Sequence, residues 1–297
     1  MNLSYFAKGA FGITALIVLA IAGFWLSVHF QKPQSQKPAP EIPALSPPHV
    51  QEAVIGHSVQ NRPISAYTYG RGGTRLLFVG GMHGGYEWNS VLLAYTFRDY
   101  LEASENIITP NLSITVIPDI NPDAVFATIG KDGPFTLADV PLGKDLSTER
   151  FNADKVDLNR NFDCKWQPTG TWKGNKVSAG ISAFSEPETQ ALRDFIQKIQ
   201  PRSVVFWHSQ ANAVYASECT HGILPETLQI MDSYASAAKY PAIKSFDAYP
   251  VTGDAEGWLA SIGIPAITVE LSSHDSIEWD RNLAGIKALI THFALPR

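Results

Sequence analysis

The stretch LLFVGGMHGGYEWNS, residues 76–90, changes character halfway along its length. It begins with four apolar residues, which favour a buried strand, and continues through two pairs of glycines. His83 lies between the glycine pairs and Glu87 follows them, and Trp88 opens a segment of helical periodicity. The pattern predicts a strand that turns sharply into a helix. The turn has either a purely structural role or a role in binding a metal ion, and the rest of the chain decides between them.

Strand-length apolar runs alternate with longer helical segments over residues 49–297. The predicted strands lie within residues 65–70, 74–80, 112–118, 203–209, 213–217 and 265–271. The predicted helices cover residues 88–102, 186–199, 224–239 and 277–293. Several strands are apolar throughout, as expected when helices cover both faces of a sheet. The sequence therefore predicts an α/β fold, a three-layer sandwich with a mixed, mostly parallel central sheet.

The first residues of the chain differ in composition from the rest. Residues 9–28 are 20 residues without a charged side chain, and a helix of that length spans about 30 Å, the thickness of a bilayer core. We expect residues 1–30 to form a transmembrane signal anchor. A cleaved signal peptide is the alternative, but no small-x-small cleavage site follows the apolar run. Both interpretations place the remaining chain outside the cytoplasm, in the periplasm or the extracellular space.

Residues 31–48 contain 6 of the 20 prolines and predict an extended, semi-rigid linker. The linker would hold a single folded domain, residues 49–297, away from the membrane. With a net charge of −5, nothing in the composition suggests nucleic-acid binding, which requires a basic face, and we expect no nucleic-acid partner.

Three titratable side chains follow or lie within predicted strands: His83, His208 and Glu270. Sites in open α/β sheets lie at the carboxyl ends of the strands, and a polar group buried there must be paired or functional. His83 and Glu87 are four residues apart and share one face of a nascent helix. Catalytic zinc sites often combine two histidines with one glutamate, which makes His208 the candidate third ligand. The spacing alone leaves a surface or capping role for the histidine open.

A second motif, VDLNRNFD, spans residues 156–163. Arg160 is a residue type that binds carboxylates with two parallel hydrogen bonds, and its neighbour Asn159 adds a donor. By itself the motif also fits a loop closed by asparagines. Two other segments predict local structure alone: residues 121–124, NPDA, a turn, and residues 185–188, SEPE, a helix N-terminus.

Taken in order, seven segments of the chain resemble the zinc carboxypeptidases of the funnelin, or M14, family. These segments are IGHSVQNRPI, GGMHGGYE, NPD, VDLNRNF, FSEPE, FWHS and ITVEL. The resemblance covers most of residues 49–271. It implies a zinc metallocarboxypeptidase that hydrolyses the C-terminal peptide bond of a peptide.

The resemblance also implies the metal site. His83, Glu87 and His208 would hold one Zn²⁺ per chain. Asp157 would accept the free N–H of His83 and orient its ring. Glu270 would act as general base and then as general acid.

The resemblance implies four further residues at the substrate. Asn159 and Arg160 would bind its terminal carboxylate, Arg150 would polarise the scissile carbonyl, and Tyr249 would cover the bound peptide. One feature departs from the family pattern, in which the first motif is His-x-x-Glu. Here Tyr86 is an additional residue, and Glu87 is retained as the ligand because no other carboxylate follows before Asp99. Because only the linker precedes the domain, we expect an enzyme made in active form.

Two acids, Asp254 and Glu256, occupy the positions that form the floor of the pocket for the terminal side chain in the family. A buried carboxylate needs a cation, so we expect C-terminal Lys, Arg or diaminopimelate to be preferred. The alternative is that one or both acids point to solvent, and Glu256, beside Gly257, is the first candidate for this.

Two other functions remain at this stage. One is a peptidoglycan-trimming peptidase that cuts muropeptides before diaminopimelate, and the other is an inactive binding module, which the complete set of ligands and base disfavours. The expected partners are thus a peptide or muropeptide and, through the N-terminal helix, the membrane. Cys164 and Cys219, the only cysteines, are either core residues, a reactive pair or a disulfide, and the compartment favours the disulfide.

Overall fold

An eight-stranded sheet forms the centre of the computed structural model, which describes residues 50–247 and 249–294. The strands in chain order are β1 (Gln51–His57), β2 (Pro63–Gly70), β3 (Thr74–Val79), β4 (Leu112–Ile117), β5 (Thr169–Trp172), β6 (Asn175–Ser178), β7 (Ser203–Ser209), β8 (Ala213–Ala216), β9 (Glu218–Cys219), β10 (Gly222–Ile223), β11 (Ala242–Ile243) and β12 (Ala266–Leu271). The helices are α1 (Trp88–Ala103), α2 (Pro122–Ile129), α3 (Pro187–Ile199), α4 (Pro225–Ala238), α5 (Ala255–Ser261) and α6 (Trp279–Ala294).

The order of strands in the large sheet is β1-β2-β4-β3-β7-β12-β8-β11. The four central strands β4, β3, β7 and β12 run parallel to one another. Strands β1 and β2 pair antiparallel with their neighbours, and β8 pairs antiparallel with β12 but parallel with β11. This confirms the predicted mixed, mostly parallel sheet. The carboxyl ends of β3, β7 and β12 lie together at one edge of the sheet because these strands are adjacent and parallel.

Alternate residues of the central strands enter two separate cores, one on each face of the sheet. Leu76 and Phe78 of β3 pack in the core that contains residues of α1, α4 and α6. Leu77 and Val79 pack on the opposite face with residues of α3 and α5. Two helical layers therefore cover the sheet, which explains why β4 and β7 are buried along their whole length and β3 along its last four residues.

The segments predicted to anchor and extend the chain, residues 1–30 and 31–48, lie outside the described residues. Within residues 50–247 and 249–294, no helix combines the length and apolar character that are needed to cross a bilayer.

Two local predictions differ from the structure. The NPDA segment is not an isolated turn, because Pro122 takes the first position of α2, where its missing N–H costs nothing. The hairpin of β5 and β6 was not expected, since its strands lack an apolar alternation. Its turn, Lys173-Gly174, has φ angles of 49° and 79°, and two left-handed residues suit the right-handed twist of a two-residue hairpin.

Candidate active site

The ligand-type side chains of His83, Glu87 and His208 converge in the buried interior at the edge of the sheet. His83 Nδ1 lies 2.7 Å from Glu87 Oε1, and His208 Nδ1 lies 3.0 Å from Glu87 Oε2. The two Nδ1 atoms are 3.1 Å apart. Two imidazoles and one carboxylate are the donor set of many catalytic zinc sites, so these residues fit the metal.

The glycines of the first motif allow this convergence. Gly84 has φ of +47°, and a Cβ atom there would lie 2.3 Å from the Cβ of Ala124 on α2. A Cβ on Gly85 would lie 1.7 Å from Thr128 Oγ1. The backbone therefore packs directly against α2 and forms a 3-10 turn, Gly84–Glu87, before α1 begins. This turn brings two side chains four positions apart to one point, although the segment is not yet an α-helix.

Each histidine faces a second carboxylate through its outer nitrogen. His83 Nε2 lies 3.4 Å from Asp157 Oδ1, and His208 Nε2 lies 3.3 Å from Glu256 Oε1. The two outer nitrogens have no other partner among the described residues. Carboxylates in these positions orient a histidine and raise its basicity as a ligand. Asp157 thus lies where the sequence predicted, whereas the contact of Glu256 with His208 was not foreseen.

Charges in this cluster are strongly coupled. Burial by itself would raise the pKa of Glu87, but the charges and hydrogen bonds of His83 and His208 hold that pKa below its usual range. Burial by itself would lower the pKa of His208, but Glu87 and Glu256 raise it well above the usual value. Three buried carboxylates around two histidines favour positive charge at their centre, as a divalent cation would supply.

Glu270 lies opposite His208 in the parallel pairing of β12 with β7. Its Oε2 accepts a hydrogen bond from the backbone N–H of Ala211 at 3.2 Å. Burial, followed by the charge of Glu87, raises the pKa of Glu270 to about 7. A carboxylate with this pKa is suited to accept a proton near neutral pH and to return it.

Arg150 lies between the metal ligands and the cavity wall. Its guanidinium forms an ion pair with Asp157 Oδ2 at 3.0 Å and lies 3.6 Å from Glu87 Oε1. The guanidinium carbon also lies 4.7 Å from the ring centroid of Trp172. Arg150 is 4% exposed and lines the cavity, so its charge is held beside the ligand set.

Asn159 and Arg160 form a second cationic region of the cavity. Arg160 is 3% exposed, and its guanidinium donates to the carbonyls of Asn159 at 2.6 Å and Thr171 at 3.2 Å. No carboxylate in the described part of the chain lies within ion-pair distance of it, and its Nε has no partner there. A buried guanidinium with a free donor has the geometry and charge to bind a carboxylate.

The cavity has a volume of about 380 Å³ and contains the remaining predicted residues, Tyr249, Asp254 and Glu256, in its lining. Asp254 caps α5, accepting from the Gly257 N–H at 2.7 Å. Burial and the charge of Glu256 raise the pKa of Asp254 to about 6. The alternative that Glu256 points to solvent is wrong. Glu256 is 4% exposed because its oxygens accept hydrogen bonds from Thr268 and Asn159.

The sequence analysis did not predict several residues of the cavity lining, among them Tyr86, Trp172, Lys173 and His274. His274 belongs to no motif and comes from the loop after β12, so only tertiary structure brings it to the site. For Tyr86 there was a signal, the additional residue between His83 and Glu87. Its side chain leaves the turn toward Trp172 and His274, at centroid distances of 5.2 and 4.5 Å.

A disulfide joins Cys164 and Cys219, whose Cα atoms are 6.0 Å apart. It links the segment that carries Asn159 and Arg160 to the β9–β10 hairpin. The bond therefore closes a loop, residues 164–219, that contains the β5–β6 hairpin and His208.

The comparisons with known proteins agree with this geometry. Escherichia coli K12 murein peptide amidase A is 32% identical over 201 residues, 64% of this chain and 74% of that protein. A Clostridium perfringens bacteriocin is 26% identical over 264 residues, 85% of this chain and 26% of that protein, so the chain spans about a quarter of its length.

Solved structures share the fold at lower sequence identity. Bovine thrombin-activatable fibrinolysis inhibitor, solved with tick carboxypeptidase inhibitor, has a TM-score of 0.64 and 19% identity, covering 82% of this chain and 88% of that one. Murein-tripeptide amidase of Escherichia coli O157 has a TM-score of 0.56 and 22% identity, covering 88% and 98%. A zinc carboxypeptidase family model matches residues 41–296. The chain therefore belongs to the zinc carboxypeptidase family of metallopeptidases.

Proposed function

We propose that the chain is an active zinc metallocarboxypeptidase that removes a C-terminal residue with a cationic side chain. One observation carries the proposal: a zinc ligand set, a carboxylate base and a buried guanidinium that has no carboxylate partner among the described residues lie in one cavity. The base is Glu270 and the guanidinium is that of Arg160. Together they supply the groups needed to bind a chain end and to cleave the bond before it.

The residues have separate tasks in this reaction. Arg160 and Asn159 bind the terminal carboxylate and place the scissile carbonyl near the metal ligands. When bound, zinc lowers the pKa of a water molecule and polarises the carbonyl. Glu270 accepts the proton from the attacking water and transfers it to the leaving amine. Arg150, fixed by Asp157, stabilises the charge that develops on the carbonyl oxygen.

Purified protein and a set of peptides with different C-terminal residues test the activity, with released residues identified by mass. The wild type is expected to release single C-terminal residues and to contain one zinc per chain. His208→Ala should lose both the metal and the activity. Full zinc occupancy in His208→Ala, or no release of any residue by the zinc-loaded wild type, would refute the proposal.

The cationic preference rests on Asp254 and Glu256 in the cavity lining. No basic side chain in the described part of the chain forms an ion pair with Asp254. Burial and the charge of Glu256 raise its pKa, and the more distant charge of Arg160 offsets this only in part. An amino or guanidinium group of the substrate would supply the missing charge. Glu256 is already bound to Thr268 and Asn159, so we assign the recognition to Asp254.

Asp254→Asn tests this preference cleanly because asparagine is also a good helix N-cap and α5 keeps its start. We expect kcat/KM for a C-terminal Lys substrate to fall more than about 30-fold relative to a Leu substrate, since truncating one partner of a buried pair costs roughly 2–5 kcal/mol. A wild type that prefers C-terminal Leu or Phe over Lys would contradict the assignment.

A muropeptide substrate is the second candidate. Its support is the 32% identity to murein peptide amidase A and the presence of Lys165 in the same cavity as Asp254. Diaminopimelate carries both an amino group and a carboxylate at the end of its side chain, so it would match one acid and one base. Muropeptides ending in diaminopimelate belong in the same peptide set, where a preference for diaminopimelate over Lys would favour this function.

We also propose that the catalytic domain lies outside the cytoplasm and is held at the membrane by residues 1–30. The disulfide supports an oxidising compartment, and the apolar length of residues 9–28 supports an anchor. Cell fractionation combined with N-terminal mass analysis tests the proposal. A protein recovered in the soluble extracellular or periplasmic fraction without these residues would establish cleavage instead.

A further inference from the structure

Strand β5 and the turn that follows it contact three groups of the cavity in chain order. The carbonyl of Thr171 accepts a hydrogen bond from the Arg160 guanidinium at 3.2 Å. The next residue, Trp172, lies against the guanidinium of Arg150. Lys173 then forms the hairpin turn, and its Nζ donates to Tyr86 Oη at 2.8 Å. The wall therefore runs from the receptor for the terminal carboxylate, past the metal ligands, to Lys173.

This order gives the substrate a direction. With its terminal carboxylate at Arg160 and its scissile bond at the metal ligands, the acyl part of the substrate extends toward the far end of the wall. Tyr86 lies there, directly before the ligand Glu87, and packs against Trp172. Lys173 therefore borders the part of the cavity that receives the residue before the scissile bond.

The ammonium of Lys173 is held by neutral groups. Nζ lies 5.4 Å from the ring centroid of Tyr86 and 5.3 Å from that of Trp172. Among the described residues no carboxylate lies within ion-pair distance of it. Lys173 is exposed at the hairpin turn, its ammonium lies beside the two aromatic rings and the tyrosine hydroxyl, and two of its three donors remain for a ligand.

His274, the other basic residue at this end, does not supply the cation. Its Nδ1 lies 2.7 Å from Ser209 Oγ, and Ser209 donates to Asn89 Oδ1 at 3.0 Å. The Asn89 amide is fixed by two backbone carbonyls that accept from its Nδ2. Ser209 must therefore accept from the N–H at Nδ1 of His274. Burial lowers the pKa of His274, so the ring is neutral near pH 7 and its Nε2 is an acceptor.

We propose that Lys173, held by Tyr86 and Trp172, forms a subsite for a carboxylate on the acyl side of the scissile bond. The enzyme would then recognise two charges on its substrate: a cation on the released residue and an anion on the residue before the scissile bond. This inference rests on the proposed peptidase activity. The carboxylate is either an acidic side chain or the free α-carboxylate of a residue linked through its side chain.

The test compares peptides that share one C-terminal residue and differ before the scissile bond, where one carries Glu and the other Gln. We expect the wild type to prefer Glu by roughly tenfold in kcat/KM, the size of one charge-assisted hydrogen bond. The preference should fall toward one in Lys173→Gln and be partly kept in Lys173→Arg. Lys176→Gln, on the same hairpin but outside the cavity lining, is the matched control and should keep it.

A third peptide, with glutamate linked through its side chain, separates the two sources of the carboxylate. Two results together would overturn this inference and leave the peptidase assignment intact. The wild type would cleave the Glu and Gln peptides at equal rates, and Lys173→Gln would cleave the third peptide, relative to the Gln peptide, as efficiently as the wild type does. If the wild type cleaves none of the peptides, the proposed function itself fails. If the preference for the Glu peptide persists in Lys173→Gln, a residue other than Lys173 binds the carboxylate and the inference is wrong.

Discussion

The two histidines of the metal site are supported in different ways. Behind His83, Asp157 binds the guanidinium of Arg150 through Oδ2 at 3.0 Å and accepts from the backbone N–H of Asn159 through Oδ1. Behind His208, Glu256 accepts hydrogen bonds from Thr268 and Asn159 side chains, which are neutral. Asp157 therefore has a full cationic partner besides its histidine, and Glu256 has none among the described residues.

Because of this difference, we expect the two carboxylates to contribute differently to fold stability and to metal binding. Burial would raise the pKa of Asp157, but Arg150, Arg160 and His83 hold it well below its usual range. The pKa of Glu256 is also lowered against burial, mainly by His208. Removing the charge of Asp157 would leave the buried Arg150 with only its longer contact to Glu87, at 3.6 Å, whereas removing the charge of Glu256 would affect His208 first. We therefore expect Asp157 to contribute to both fold stability and metal binding, and Glu256 to contribute to metal binding and to the cavity lining.

The largest expected effect comes from Glu270, which belongs to neither of the two carboxylate–histidine pairs. Glu270→Gln removes the base and is expected to lower kcat by at least about 10²-fold while zinc affinity is kept. The wild-type rate should fall as the pH drops through the pKa of Glu270, near 7 or lower once zinc adds positive charge. Metal analysis and a pH profile of kcat/KM check both points. Near-normal turnover in the variant would make Glu270 a structural residue.

Asp157→Asn should have the next largest effect on metal binding, and it should also destabilise the fold. We expect zinc affinity to fall about 10- to 100-fold, as for other partners of metal-bound histidines. The free energy of unfolding should fall by about 3–5 kcal/mol because Arg150 loses its buried partner. Chelator competition and urea unfolding measure the two quantities.

The double variant Asp157→Asn/Arg150→Met is the control for that pair. It removes the stranded charge, so it should recover stability but not zinc affinity. Equal recovery of both would mean that Asp157 supports the metal only through the fold.

Glu256→Gln should weaken zinc binding by about tenfold with a change in unfolding free energy within about 1 kcal/mol. The amide keeps the size of the side chain and an acceptor for Thr268, and no arginine loses a partner. Chelator competition against Asp157→Asn under the same conditions is the decisive measurement. Unchanged zinc affinity would show that the contact with His208 contributes nothing to the metal site.

The disulfide should have the smallest effect on the metal. Cys164→Ser/Cys219→Ser opens a loop with a sequence separation of 55 residues, which in the chain-entropy model corresponds to about 3–4 kcal/mol of unfolding free energy. Zinc affinity should remain, because neither cysteine touches a ligand or its partner carboxylate. Thiol titration of the denatured, unreduced wild type should find no free thiol, and two free thiols would exclude the bond.

The candidate ligands and the candidate base could be located in the chain because each follows an apolar strand or its turn, and the family resemblance supplied their roles. His83, His208 and Glu270 follow or lie in β3, β7 and β12, and parallel strands bring their carboxyl ends to one edge. The helices predicted at residues 88–102 and 277–293 correspond to α1 and α6. Periodicity and strand ends are local properties, so the sequence was sufficient to predict these elements. Zinc was predicted from the ordered family motifs, because the spacing of the ligands alone left another role open.

The supporting contacts were determined only by tertiary structure. Glu256, 48 residues beyond His208 in the chain, meets it because β7 and β12 pair and α5 packs beside them. Lys173 reaches Tyr86 across 87 positions through a hairpin whose strands carry no apolar pattern. Sequence patterns report which face of an element is buried. The packing of distant elements determines the charged side chain that faces each histidine, and no local pattern encodes that pairing.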